Sequence, residues 1–135
     1  VSVQENVCEL LCKIQKEKKI SYLFIAHDLG LVDLMCNQVA VLYLGNVLEW
    51  MEAGRIGVDC KHPYTKSLMK AVFKVTADEK YKIEPLDGEI PSPLDLPKGC
   101  PFASRCELCD QYCLENKPQL KEVSHGHWVA CHKVQ

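Results

Sequence analysis

A basic excess, a long apolar run and a phosphate-binding loop are all missing from this sequence. Sixteen Lys and Arg stand against eighteen Asp and Glu, a net charge of −2. The basic stripe that neutralises nucleic-acid phosphates is therefore absent, and no nucleic-acid partner is expected. No apolar run approaches the ~20 residues that span a bilayer. No Gly-x-x-x-x-Gly-Lys-Ser/Thr occurs, so these residues do not encode that backbone cradle for phosphates. Val1-Ser2-Val3-Gln4 shows neither the basic nor the apolar region of an export signal, and there is no initiator Met. A piece of a longer polypeptide is expected. The 47% apolar and 25% charged shares of the 135 residues exclude a disordered or collagen-like chain.

Cysteine is what the sequence has in excess, with nine residues. Cys8, Cys12, Cys36 and Cys60 are scattered, whereas Cys100, Cys106, Cys109, Cys113 and Cys131 crowd the C-terminal part. An odd count, clustering and no export signal fit a reducing compartment and a metal better than a disulfide framework. Proline marks a second change of style. Only Pro63 precedes residue 76, while Pro85, Pro91, Pro93, Pro97, Pro101 and Pro118 follow it. We therefore expect an α/β part over residues 1–75 and a loop-rich module over 76–135. So short a module buries little apolar surface and needs a cross-link.

Ser2-Val3-Gln4-Glu5 has the form of a capping box. Val3, Val7, Leu10, Leu11 and Ile14 follow at helical spacing, which predicts a helix with one buried face ending near Lys16–Lys19. Cys8 and Cys12, four residues apart on that helix, read as packing residues. Tyr22-Leu23-Phe24-Ile25-Ala26 reads as a strand buried on both faces, the mark of a parallel sheet. Leu29–Cys36 reads as a short helix, Gln38–Leu44 and Val47–Met51 as a hairpin turning at Gly45-Asn46. Pro63 opens a further helix with Tyr64, Leu68, Val72 and Phe73 as its stripe.

His27-Asp28 falls directly after the expected buried strand. Ligands of open α/β sheets lie outside the carboxyl ends of the strands. An imidazole there can donate to a phosphate oxygen or orient a water; it can equally cap the next helix. Asp28 reads as that cap and is given no chemistry.

Val1–Gln4, Tyr22-Leu23-Phe24-Ile25-Ala26-His27-Asp28-Leu29 and Val39-Ala40-Val41-Leu42-Tyr43-Leu44-Gly45 resemble the second half of an ABC-transporter ATPase. His62-Pro63-Tyr64-Thr65-Lys66-Ser67-Leu68, Gly88-Glu89-Ile90-Pro91-Ser92-Pro93 and Gly99-Cys100-Pro101-Phe102 narrow the resemblance to the oligopeptide/dipeptide importer ATPases and their C-terminal extension. It covers essentially the whole chain. The resemblance implies the C-terminal half of a P-loop NTPase-like sheet with helices, followed by a cysteine-containing extension. His27 falls on the switch histidine, which contacts the γ-phosphate of ATP and aligns the hydrolytic water. ATP and Mg would belong to the intact subunit only, because the P-loop, signature motif, Q-loop and Walker B carboxylates lie upstream in such proteins. The implied partners are a second ATPase subunit, two membrane-spanning permease subunits and an external peptide-binding protein. The implied place is cytoplasmic, peripheral at the inner face of the membrane. Related importers carry nickel, so the cargo stays open. A stand-alone metal-stabilised module is the competing reading.

Cys100, Cys106, Cys113 and Cys131 are spaced C-x5-C-x6-C-x17-C. With Pro101, Phe102, Arg105 and the His127–His132 ending they resemble the family's iron–sulfur-type extension. Four thiolates suit a 4Fe–4S cubane, one per iron, and equally a tetrahedral zinc. Disulfides or free thiols are the third alternative. Cys109 is an extra thiol relative to that pattern, forming Cys106-x-x-Cys109. His125, His127 and His132 read as surface residues or as supports around the cysteines. A half sheet leaves an open edge, so self-association of the isolated chain is expected.

Overall fold

The computed structural model describes residues 3–76, 92 and 95–134. Ser2, the side chains of Glu5, Val72 and Phe73, and residues 88–91 and 93 of the Gly-Glu-Ile-Pro-Ser-Pro segment lie outside the described residues. The chain divides into two units, residues 1–37 and 38–135.

In the first unit, helix α1 spans Val3–Lys18 and carries Lys16 and Lys18 in its last turn, where positive charge suits the dipole. Lys19 then turns left-handed, at φ 53°, to end it. The expected buried face is only partly covered: Cys8 is buried, but Val3, Val7 and Leu10 are exposed. Cys12 packs its thiol on Met35 of helix α2, Leu29–Met35. Asp28 caps α2, its carboxylate accepting from the Leu31 amide at 3.1 Å.

The expected strand at Tyr22–Ala26 is not formed. These residues have no regular structure, and Leu23 and Ile25 are each 91% exposed. A strand exists only when its amides and carbonyls pair with a neighbour. None of the described strands pairs with this segment.

The second unit is built on an antiparallel sheet, not the parallel one that segment suggested. Its strands are β1, Gln38–Tyr43, β2, Asn46–Glu52, β3, Lys121–Ser124, and β4, His127–Val129, in the order β1-β2-β4-β3. The protein is α/β with that sheet and its helices. β1 and β2 meet in a two-residue turn, Leu44 at φ 46° and Gly45 at φ 72°. Two positive φ values in succession make the turn whose twist matches a hairpin. β4 pairs with β2 through Glu49↔Val129 and Trp50↔Trp128, and the Ala130 amide adds a bond to the Leu48 carbonyl at 2.8 Å. The sheet thus crosses residue 76. Composition changes there, but packing does not divide there.

Helices α3, Ile56–Asp59, α4, Pro63–Thr76, and α5, Gln111–Glu115, complete the unit. α4 buries Thr65 and Met69, with Tyr64 and Leu68 half-buried beside them. Tyr43, Leu48, Cys100, Phe102, Ala103 and Cys113 form one core. Phe102 is its centre, 1% exposed, with the Tyr43 and Tyr64 rings 5.4 and 5.3 Å away. No described helix is long and apolar enough to cross a membrane.

Candidate functional site

His27 is solvent-exposed and stands one residue before the α2 cap. The next residue, Asp28, satisfies a helix-end amide with its carboxylate.

The four cysteines expected to act together share one neighbourhood of the second unit. Gly99-Cys100 passes directly over α5, and the Cys100 amide donates to the Cys113 carbonyl at 2.8 Å. Cys106 follows a 3₁₀ turn, Ala103–Arg105, and Cys131 follows β4. Burial pushes the Cys100 thiol up to about 11, and the Cys131, Cys106 and Cys113 sulfurs lie close enough to raise it further. Burial also raises Cys106, with Cys131, Cys109 and Cys113 adding to the shift.

Three of these sulfurs face the amide two residues on. The Phe102 N–H points at Cys100, the Leu108 N–H at Cys106, and the Lys133 N–H at Cys131, the last at 3.4 Å. Such amides favour the thiolate over the thiol. Asp110 caps α5 by accepting from the Cys113 amide at 3.0 Å and also holds the Lys133 ammonium. Those two contacts pull the Asp110 carboxyl far below its usual range, Lys133 foremost. The α5 start and the chain after Cys131 are thereby tied together. His132 completes the tie, its Nε2 3.0 Å from the Asn116 carbonyl and its ring edge-on to Tyr112 at 4.8 Å.

Among the described residues no group of three or more His, Cys, Asp or Glu side chains is placed to hold one ion. Tetrahedral zinc with bonds of about 2.3 Å needs its sulfurs roughly 4 Å apart. A cubane bound through one sulfur per iron spreads its ligands wider. The four cysteines are neighbours, and four is the number of thiolates that either group takes.

A buried polar knot lies elsewhere in the unit, and sequence reasoning missed its central residue. Glu49 on β2 is 0% exposed. Its Oε1 accepts from the Lys61 amide and from His127 Nε2, each at 2.7 Å, and its Oε2 from the His62 amide at 3.2 Å. His127 was read as a surface or supporting residue; it is fully buried against Glu49 instead. Strand alternation explains why: His127 shares the inward parity of Val129. Of the other two, His125 is exposed and His132 half-buried. His62 is equally buried, and its Nδ1 accepts from the Tyr64 amide at 3.0 Å, capping α4. Burial lowers the His62 pKa to about 4, against the opposing pull of Glu49 and the Ala130 carbonyl. The available signal was Glu49 itself, an acid at the parity of Met51 in the run Val-Leu-Glu-Trp-Met.

The His-Pro-Tyr-Thr segment and the Gly-Cys-Pro-Phe segment are thus the two pieces that pack on β2 and on α5. Residues 48–113 match the family described as oligopeptide/dipeptide transporter, C-terminal region. That stretch of the chain belongs to the family. The matched span runs from β2 to α5 and holds Glu49, His62, Cys100, Cys106 and Cys113; Cys131 and His127 lie beyond it. The oligopeptide transport ATP-binding protein OppF of Haemophilus influenzae is 44% identical over 136 residues, 99% of this chain and 41% of its own length. YkfD of Bacillus subtilis, also named for oligopeptide transport and ATP binding, is 42% identical over 134 residues, 98% of this chain and 41% of its own length. The dipeptide transport ATP-binding protein DppF of Haemophilus influenzae is 37% identical, over 99% of this chain and again 41% of its own length. The chain spans about two-fifths of these relatives, 41% of each.

Proposed function

We propose that this chain is the C-terminal portion of an ATP-hydrolysing subunit that energises import of oligopeptides or dipeptides. The observation that carries the reading is the alignment of nearly the whole chain, 97–99% of it, with proteins named for peptide transport or import and ATP binding. The intact subunit works at the inner face of the cytoplasmic membrane, paired with a second ATPase subunit and docked on membrane-spanning permeases. Residues 1–75 continue its ATPase domain, and residues 76–135 are the transporter-specific extension. On this reading the division is one of sequence origin, since a single sheet joins the two in the fold.

His27 is the switch histidine of that subunit. An imidazole N–H placed at the transferred phosphoryl group stabilises the charge that builds on its oxygens. The exposed position of His27, immediately before a capped helix, suits a residue that meets a ligand supplied from outside this chain. With no P-loop, the isolated chain neither binds nor hydrolyses ATP. In the full-length subunit, His27→Ala should lower ATP turnover at least about tenfold while nucleotide binding survives. Unchanged turnover would remove the role.

Cys100, Cys106, Cys113 and Cys131 hold a 4Fe–4S cluster that staples the extension. Their shared neighbourhood and the amides facing three of them support a thiolate-bound group at this place. When bound, the cluster supplies metal–thiolate bonds worth several kcal/mol to a segment with little apolar core. Anaerobically prepared protein should be brown and carry iron and sulfide in equal amounts, one thiolate per iron. A colourless chain with one zinc would replace the cluster, and a metal-free chain would remove both. Leu23 and Ile25, open to solvent beside unpaired backbone, give the excised chain a surface to cover by self-association.

A further inference from the structure

Cys109 is the thiol of the C-terminal group that the proposed cluster does not use; it packs at the edge of the core, its thiol 3.6 Å from the Asp110 carbonyl. It stands three residues after Cys106, and its amide donates to the Cys106 carbonyl at 3.1 Å. That bond closes a four-residue turn, which brings the first and last Cα within about 7 Å. A disulfide needs Cα atoms about 4.4–6.8 Å apart. The two sulfurs are also near each other, since Cys109 is among the groups that raise Cys106. Both residues are half-buried rather than sealed in the core, unlike Cys100 and Cys113, so a small oxidant reaches them. Cys131 is the competing partner for Cys106, being close to it as well. It is joined through a loop of more than twenty residues, however. The Cys106–Cys109 turn needs no tertiary contact to keep its ends together, so its closure costs far less chain entropy.

We propose that Cys106 and Cys109 form a reversible disulfide when no cluster is bound, a thiol switch that withdraws Cys106 from the ligand set. The inference rests on the cluster reading only for its consequence; the disulfide itself does not. The step is an exchange with a small-molecule disulfide. One cysteine thiolate attacks a sulfur of the oxidant, forms a mixed disulfide and releases one thiol. The second cysteine attacks the protein sulfur of that mixed disulfide and expels the other thiol. Two cysteine thiols lose two protons and two electrons, and the oxidant gains them as two thiols. Only Cys100, Cys113 and Cys131 then remain, one short of the four a cubane takes.

The metal-free, reduced 135-residue chain is treated with oxidised glutathione. Two of its nine free thiols should disappear, the mass should fall by about 2 Da, a peptide map should link Cys106 to Cys109, and dithiothreitol should restore the thiols. No loss of thiols, a lasting glutathione adduct, or a link from Cys106 to Cys131 overturns the switch. In a second arm, iron and sulfide are offered to the reduced chain, the oxidised chain and an oxidant-treated Cys109→Ser chain. The first and third should take up iron and the second should not. Equal uptake by all three overturns the switch. A reduced chain that takes up no iron sinks the cluster reading and leaves a mapped disulfide standing.

Discussion

Replacing Glu49 with alanine should destabilise this chain by about 3–5 kcal/mol, the cost of depriving three donors of one shared buried acceptor. The size follows from what the carboxylate holds. It accepts from two backbone amides, Lys61 and His62, and from His127, with no exposure to water. Removing it leaves all three donors buried and unpaired, and each such group costs about 1–3 kcal/mol. Glu49→Gln should recover only part of the loss, because its amide nitrogen must turn a donor toward donors already there. Urea denaturation measures the effect; a loss under about 1 kcal/mol would mean the knot is dispensable. Acid should act on the same place. His62 is neutral in the folded chain, its pKa lowered from 6.5 to about 4 by burial. Between those values the unfolded chain binds the proton and the folded chain does not, so falling pH favours unfolding. The contribution is fully present above about pH 6.5 and is lost as pH falls toward 4, roughly 3 kcal/mol in all. His62→Asn, which keeps a side-chain cap, should flatten stability across that window.

Gly99→Ala should be as damaging, through shape alone. A Cβ on Gly99 would sit 2.2 Å from the Cys113 carbonyl oxygen and 2.4 Å from that of Leu114. Both obstacles are backbone, so no side chain can swing away. Either α5 or the Gly99-Cys100 strand of chain must move, and the Cys100–Cys113 hydrogen bond goes with it. Overpacking of this kind costs about 3 kcal/mol or more when backbone has to shift. Thiol labelling reads it directly. Cys100 and Cys113 are each 7% exposed, and the Cys100 thiol is held up at about 11, so both should react slowly in the parent chain. In Gly99→Ala they should react at rates close to those of the unfolded chain. Labelling as slow as in the parent would show that the close approach is not needed.

Local elements were legible wherever short-range chemistry decides them. The α1 span, the α2 helix with its Asp28 cap, the β1–β2 hairpin and the Pro63 start of α4 all follow from periodicity, capping residues and turn residues. Leu44 and Gly45 took positive φ where the sequence suggested a tight turn one residue later. The β3–β4 hairpin went unread, although His125-Gly126 between Val123 and Val129 is a turn signal; Gly126 sits at φ 69° and its amide is held by Glu122. Tyr22–Ala26 misled because an apolar run reports what a segment would bury, and burial needs a neighbour that the described residues do not provide.

Residue types and their spacing were enough to bring out a histidine ahead of a capped helix, a set of cysteines near the C-terminus and the family that residues 48–113 match. Those traits are carried by side-chain chemistry and short offsets along the chain. Tertiary structure alone decided that β4 joins β2 across the change in composition, that His127 turns inward to meet Glu49 from 78 residues away, and that Gly99 touches α5. Each of these is a pairing between distant segments, and such pairings are chosen by which buried polar groups can be satisfied together, a condition no single stretch of sequence contains.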